Sequence, residues 1–379
     1  MEYNWIKIGM VNTGKKNMNS QEIISNSKID TTIPGIYPRV AIIILNWNGW
    51  LDTIECLESV YQMAYPIYDI IVVDNGSENN SIEKIKEYAD GKIHIESPFF
   101  TFIGENKPIS YIEYTRQEAE DDGIFGKSLS NVLPSKRLIL IKNEKNYGFA
   151  EGNNIAIRYV LNSHIQKYIL ILNNDTVVDK YLLDKLVVQA ESDKMIGFVG
   201  PKTYYYNYHG RTDVINFSGG RLDIWRGNSY PIGYQEVDQG QYDTITTVDY
   251  VEGSCFLART EVFERIGYFD KNFFTYWEET DLCMRAVNAG YRLVYIPGAK
   301  IWHKVASSSK GTIKSYYFAR NRILFVRRYA TRAQLFFFLL YFFGFDIFFQ
   351  SGKSLIYHRN FQEFKSFFKG VYDGMSSLG

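Results

Sequence analysis

Apolar residues come along this chain in short unbroken runs, and three of the first four stop at an asparagine or an acid. Val40 to Leu45 (VAIIIL) stops at Asn46, Trp47, Asn48 and Gly49, and Ile70 to Val73 stops at Asp74, Asn75, Gly76 and Ser77. Leu138 to Ile141 is followed by Asn146 to Asn154 (NYGFAEGNN), and Tyr168 to Leu172 runs into Asn173, Asn174 and Asp175. Runs this continuous suit strands buried on both faces of a parallel sheet. Between them the spacing changes to that of helices. Leu51, Ile54, Leu57 and Val60 recur on one face, which puts Asp52, Glu55 and Glu58 elsewhere on the helix surface. Ile82, Ile85 and Ala89 mark a second helix, and Ile155, Ile157 and Val160 a third, whose preceding glycines would let a backbone approach a ligand closely. Strand alternating with helix predicts an α/β fold with a doubly wound, mostly parallel sheet flanked by helices.

Farther along, the pattern predicts a helix near Leu182 to Ala190, a strand at Ile196 to Gly200, and irregular strands in the Gly- and Tyr-rich stretch from Tyr204 to Thr247. A helix opening near Thr280 and ended by Gly290 leads to strands at Leu293 to Ile296 and Ile301 to His303. Ser97 to Lys136 breaks the rhythm with a polar, acidic stretch and reads as an insertion at the sheet edge. Residues 1–38 are polar and rich in Asn, Ser and Lys, without the apolar centre of a signal peptide, and read as a flexible extension. The predicted organisation is thus an extension, a domain over 39–310, and a basic, aromatic helical segment over 311–379.

Two places carry chemistry. Open α/β sheets bind ligands beyond the carboxyl ends of their strands, where Asn173, Asn174 and Asp175 fall. Period-two alternation places Asn173 and Asp175 on one side, where they could offer oxygens to a hard divalent cation. The same residues also suit a turn, with Asp175 as a helix cap. The second place is Phe273 to Arg285 (FFTYWEETDLCMR), with Glu278 and Glu279 ahead of the helix. Acids there favour the helix dipole, yet a glutamate beside Trp277 could serve as a general base if the aromatic wall raised its pKa. Asp281 and Arg285, four apart, are spaced to brace each other.

Composition narrows the reading. Forty-two basic and 42 acidic residues cancel, which argues against a general nucleic-acid binder. The three cysteines form no CxxC pair, so neither zinc nor a disulfide framework is indicated, and a reducing compartment fits. No GxGxxG follows the first strand, disfavouring a dinucleotide-dependent dehydrogenase. Asn46 to Leu51 (NWNGWL) holds no Lys or Arg, disfavouring a nucleotidyltransferase, which needs a basic triphosphate loop. A non-catalytic sugar-nucleotide or membrane-binding scaffold is the alternative from another class. Lys314, Arg320, Arg322, Arg327, Arg328 and Arg332 precede an apolar run, Leu335 to Phe349, broken by Asp346 and short of the roughly 20 residues that span a bilayer. That pairing predicts an interfacial helix on an anionic membrane surface, against a buried or dimerising aromatic helix.

The passages ILNWNG, VVDNGS, NYGFAEGNN, LILNNDTVV, VEGSCFLARTEVFERIGYF and YWEETDLCMR, in this order over about Arg39 to Ser309, resemble glycosyltransferase family 2, enzymes of the GT-A fold, and most closely its rhamnosyltransferase-like members. The resemblance implies an inverting transfer from a dTDP-, UDP- or GDP-linked sugar to a saccharide or lipid-linked saccharide, in cell-surface polysaccharide or glycolipid assembly at the cytoplasmic membrane. It implies nucleotide contacts from Asn46, Asp74, Gly148, Asn153 and Asn173, and Mg²⁺ or Mn²⁺ held by Asp175 with His303. Glu279 is implied as the base, with Trp277 and Glu278 on the acceptor side. The chain departs from the family pattern twice. Asn173 stands where the metal motif usually has its first aspartate, and Glu279 where the base is commonly an aspartate.

Overall fold

A computed structural model describes residues 37–121, 137–305 and 311–376. The extension expected at 1–38 lies almost wholly outside these, as does the later part of the 97–136 segment. The early apolar runs form β1 (Val40–Asn46), β2 (Tyr68–Asp74), β4 (Arg137–Lys142) and β5 (Tyr168–Asn173), with β3 (Ser110–Thr115) between β2 and β4 in sequence. They lie parallel in the spatial order β5-β1-β2-β4-β3. Helices α1 (Trp50–Tyr61), α2 (Ser81–Ala89), α3 (Arg116–Glu120) and α4 (Gly148–Ser163) connect them. Because β1 is apolar from Val40 to Leu45 it feeds two cores: Val40, Ile42 and Ile44 pack with Ile54 and Leu57, whereas Ala41 and Ile43 pack with Ile155 and Ile157. Each such side chain removed from water contributes roughly 1.5–3 kcal/mol.

The register aligns the ends of these strands. Asn46 lies opposite Asp74, and Leu45 opposite Asn173, so the polar residues that stop three runs collect along one edge of the sheet.

The second half turns the sheet mixed. It adds β6 (Thr176–Val178), α5 (Leu182–Ser192), β7 (Ile196–Tyr205), β8 (Ile215–Phe217), a separate pair β9 (Gly220–Asp223) and β10 (Asn228–Pro231), and β11 (Thr246–Thr247). Next come β12 (Cys255–Arg259), α6 (Thr260–Ile266), α7 (Glu278–Asn288) and β13 (Arg292–His303). β12 inserts antiparallel between β5 and β7, and β13 lies parallel to β7. The two strands expected over Leu293 to His303 are one, irregular between Ile296 and Lys300. Glu278 and Glu279 lie inside the first turn of α7 rather than ahead of it.

The acids of α1 depart from expectation. Glu55 and Glu58 are buried. α2 and the chain after residue 97 cover Glu58: Tyr88 donates to it at 2.7 Å, Lys107 Nζ reaches it at 2.9 Å, and the Ile103 amide donates at 3.0 Å. Glu55 accepts from Tyr206 at 2.7 Å and pairs with Lys304 at 2.6 Å. Period alone could not reveal this cover, because it is supplied by distant segments.

The tail is helical and aromatic-rich. α8 (Gly311–Tyr329) lies against α10 (Phe361–Ser376), and between them α9 (Arg332–Tyr357) runs through two π-helical turns, Phe342–Asp346 and Lys353–Tyr357. At 26 residues α9 is longer than the apolar run that predicted it, and is long and apolar enough to cross a membrane by length and composition. Asp346, which interrupts that run, points inward to Arg322 at 2.6 Å. The basic residues are also largely engaged: Arg320 with the Asn272 carbonyl, Arg327 with the Gly374 carbonyl, and Arg328 with Asp270 and Asp281. These four cations thus bond to groups of the protein itself.

Candidate active site

On the side of β1 and β2, Asn46 and Asp74 are buried and satisfied by neighbours. Asn46 Nδ2 donates to Asp74 at 2.7 Å, its Oδ1 accepts from Thr53 at 2.9 Å, and Asp74 also accepts from Ser77 Oγ at 2.6 Å. Asn48, at φ +56°, accepts from the amide of Glu78 at 2.9 Å, leaving Trp47 exposed at the rim. These residues shape the loop walls. Asn75 does the same for the next loop, donating to Asn146 and to the Gly148 carbonyl at 3.0 Å and accepting from the Tyr147 amide.

Gly148 and Asn153, expected at the nucleotide border, also hold their own segment in shape. Gly148 has φ +79°, and a Cβ there would meet the Phe274 ring at 2.5 Å. Its smallness admits Phe274. Asn153 is buried and donates back to the Phe149 carbonyl at 2.9 Å.

The NND turn is where separate elements meet. β5 ends at Asn173, so alternation does not reach Asp175; a turn into β6 carries it instead. The pairing of β6 with β13 sets Thr176 opposite His303, and His303 Nε2 comes within 3.1 Å of Asp175 Oδ1. Burial disfavours the imidazolium, but the Asp175 carboxylate outweighs it and His303 titrates above its ordinary value. His303 Nδ1 is buried without a partner. No cluster of three or more His, Cys, Asp or Glu poised for a metal occurs among the described residues. A carboxylate beside an imidazole fits a divalent cation whose remaining ligands come from water and a bound diphosphate. Asn174 supports the turn from behind, donating to Thr53 at 3.0 Å.

Glu279 approaches from α7. The preceding loop is folded unusually: Phe274, Tyr276 and Trp277 all have left-handed φ, at +63°, +66° and +73°. Trp277, expected on the acceptor side, is buried against Phe318 and Phe325 of α8 and supports the loop. Glu278 is buried, and burial followed by the charge of Glu279 pushes its carboxyl well above the usual carboxylate range. Burial pushes Glu279 up to about 7, with Glu252 adding to the rise, and Glu279 Oε2 has no partner. A carboxyl titrating there is suited to exchanging a proton near pH 7.

One residue escaped sequence reasoning. Glu252 precedes β12, accepting from Ser254 Oγ at 2.5 Å and Asn216 at 3.4 Å. Ser254 O receives the Asn173 amide at 2.9 Å, while a Cβ on Gly253 would lie 3.6 Å from Glu279 Cβ. The Glu252–Ser254 loop therefore joins the NND turn to Glu279, and its carboxylate acts on both His303 and Glu279. Its signal in sequence was its place in the passage VEGSCFLARTEVFERIGYF, which by itself gave it no role.

Residues 127–317 match the model described as glycosyltransferase like family 2, and residues 41–101 that of glycosyl transferase family 2. A low-salt glycan biosynthesis hexosyltransferase of Haloferax volcanii is 29% identical over 145 residues, covering 37% of this chain and 43% of that protein. A rhamnosyltransferase of Escherichia coli is 29% identical over 201 residues, covering 48% of this chain and 74% of its own. A mannosyltransferase of Pyrobaculum calidifontis, solved in complex with GDP-Man and Mn²⁺, superposes with a TM-score of 0.50 at 13% identity, covering 91% of this chain and 77% of that one. The fold is of the GT-A type that the sequence motifs implied.

Proposed function

We propose, from the premise that this chain belongs to glycosyltransferase family 2, that it moves a sugar from a nucleotide-activated donor to a hydroxyl of a saccharide or lipid-linked saccharide, with inversion. The observation that carries this reading is the Glu252–Ser254 loop, which ties the Asp175–His303 pair to Glu279 around one stretch of strand ends. In a single displacement, the acceptor oxygen attacks the anomeric carbon as the bond to the nucleoside diphosphate breaks. Glu279 takes the acceptor proton, and its raised pKa matches that task. Asp175 and His303 would hold Mg²⁺ or Mn²⁺, which when bound neutralises charge on the departing diphosphate. Asn46 and Asp74 keep the nucleotide-side loops in shape, and Asn173 lies at their meeting point. Rhamnose is the favoured sugar, on the likeness to the rhamnosyltransferase of Escherichia coli.

A lipid-linked acceptor suits the tail. α9 leaves Phe345, Phe348 and Phe349 exposed, an apolar strip for a peripheral seat on the cytoplasmic membrane. The experiment is a thermal-shift titration with UDP, dTDP and GDP, with and without Mn²⁺, beside transfer assays. One diphosphate should stabilise the protein and do so more strongly with Mn²⁺, since a ligand at 100 times its Kd adds about 2.7 kcal/mol. Glu279→Gln should keep that shift and lose roughly 10²- to 10⁴-fold in transfer. Undiminished transfer in that variant would reject the assignment of the base.

A further inference from the structure

The loop that delivers Glu279 is held in shape by one side chain outside the catalytic sheet. Asn321 of α8 is fully buried, and its Nδ2 lies 2.8 Å from each of three carbonyl oxygens, those of Phe273, Thr275 and Tyr276. Two hydrogens serve three acceptors, so at least one is shared. Asn321 Oδ1 has no partner, which marks the residue as one present for its donors. The left-handed turns at Phe274, Tyr276 and Trp277 converge these carbonyls, and residues without the freedom of glycine occupy such conformations only when their surroundings impose them.

The rest of this face of α8 is committed to the same loop. Tyr317 stacks on Phe274 with ring centroids 5.0 Å apart, and Phe325 packs on Trp277 at 5.0 Å. Arg328 spans the loop, reaching Asp270 at 2.7 Å before it and Asp281 at 2.6 Å within α7. On the other side the Phe274 carbonyl accepts from the amides of Phe149 and Ala150. Trp277 O then accepts from the Asp281 amide, fixing the turn that contains Glu279.

We propose that Asn321 is a positioning residue for the transfer reaction: by gathering three loop carbonyls it sets where the Glu279 carboxylate stands relative to the acceptor. This rests on Glu279 being the base. Asn321 makes no hydrogen bond to Glu279, nor to β1, β2, β5 or β13, so the transfer step and diphosphate binding should separate.

The test uses the full chain carrying Asn321→Asp, which keeps the shape but removes both donors, and Asn321→Ala. Expected are nucleoside diphosphate affinities within about twofold of wild type, kcat lower by about 10²-fold as for an ångström-scale misplacement, and a shifted acid limb in the pH profile of kcat. A lowered Tm with unchanged kcat and pH profile would overturn the proposal, leaving Asn321 a stabilising residue. If neither variant folds, Arg328→Gln at the rim of the same clamp is measured for the same split, and an unchanged kcat and acid limb there overturns it equally. Glu279→Gln in parallel separates the two levels. Loss of transfer in Glu279→Gln beside wild-type transfer in the Asn321 variants rejects the positioning role alone, whereas retained transfer in Glu279→Gln rejects the base and this inference with it.

Discussion

Glu279 stores a cost that can be measured without any substrate. A carboxyl raised in the folded state favours folding fully below its unfolded value near 4.5, and that advantage is lost as pH rises through the folded value of about 7. Glu279→Gln should therefore raise Tm at pH 8 by more than at pH 5, by about 2–4 °C for each kcal/mol relieved; equal shifts at both pH values would contradict the burial argument. For catalysis the sign reverses. Transfer should increase as pH rises through about 7, because only the carboxylate accepts a proton. Glu252→Gln should move that limb to lower pH, since the charge of Glu252 helps hold Glu279 up. Asp175→Asn should abolish the part of diphosphate affinity that depends on Mn²⁺, read by titration with and without the metal. At this scale the sequence showed Asp175, His303 and Glu279 through motif order. It carried Glu252 inside a family passage but not its position beside both His303 and Glu279, nor the ring that packs on Gly148, 126 residues away in sequence.

Helix α1 shows what periodicity leaves out of an element. Its apolar face was legible from spacing, yet Glu58 is as deeply covered as Leu57. Burial works against the Glu58 carboxylate, and its bonds to Tyr88, Lys107 and the Ile103 amide outweigh that, so it titrates below its ordinary value. A depressed acid contributes stability present above its unfolded pKa and lost as pH falls through the folded one. Lys107→Ala should leave a buried charge unpaired and cost about 3–5 kcal/mol, visible in urea denaturation at pH 7; a loss below 1 kcal/mol would mean that solvent reaches the site. The direction of β12 was equally hidden, because a four-residue apolar run, Cys255 to Ala258, reads the same whichever way it pairs. The reach of α9 was underestimated because its polar interruption, Asp346, is neutralised by Arg322 on α8.

Across the whole molecule, the tail and the catalytic half share a core. Phe273 and Trp277 pack with Ile323, Phe325, Phe338 and Phe342, so the boundary placed near residue 310 divides the sequence without dividing the packing. Ending the chain after Val305 should abolish transfer even to a soluble acceptor, because the loop before Glu279 loses its support. Membrane attachment is better tested by changing Phe345, Phe348 and Phe349 to serine in the full chain. Flotation with anionic liposomes should then decline while soluble transfer persists, and undiminished flotation would remove the membrane role.

The antiparallel strand in the middle of the sheet has a consequence for biosynthesis. β12 separates β5 from β7 although it follows both in the chain, so a nascent polypeptide released only as far as β7 carries two unsealed strand edges. The centre closes when Cys255–Arg259 arrives, and the turn bearing Asp175 gains its histidine some forty residues later. Ribosome pausing within that interval would lengthen exposure to edge-to-edge aggregation, so synonymous codons between β7 and β13 should influence soluble yield more than those at the start of the message.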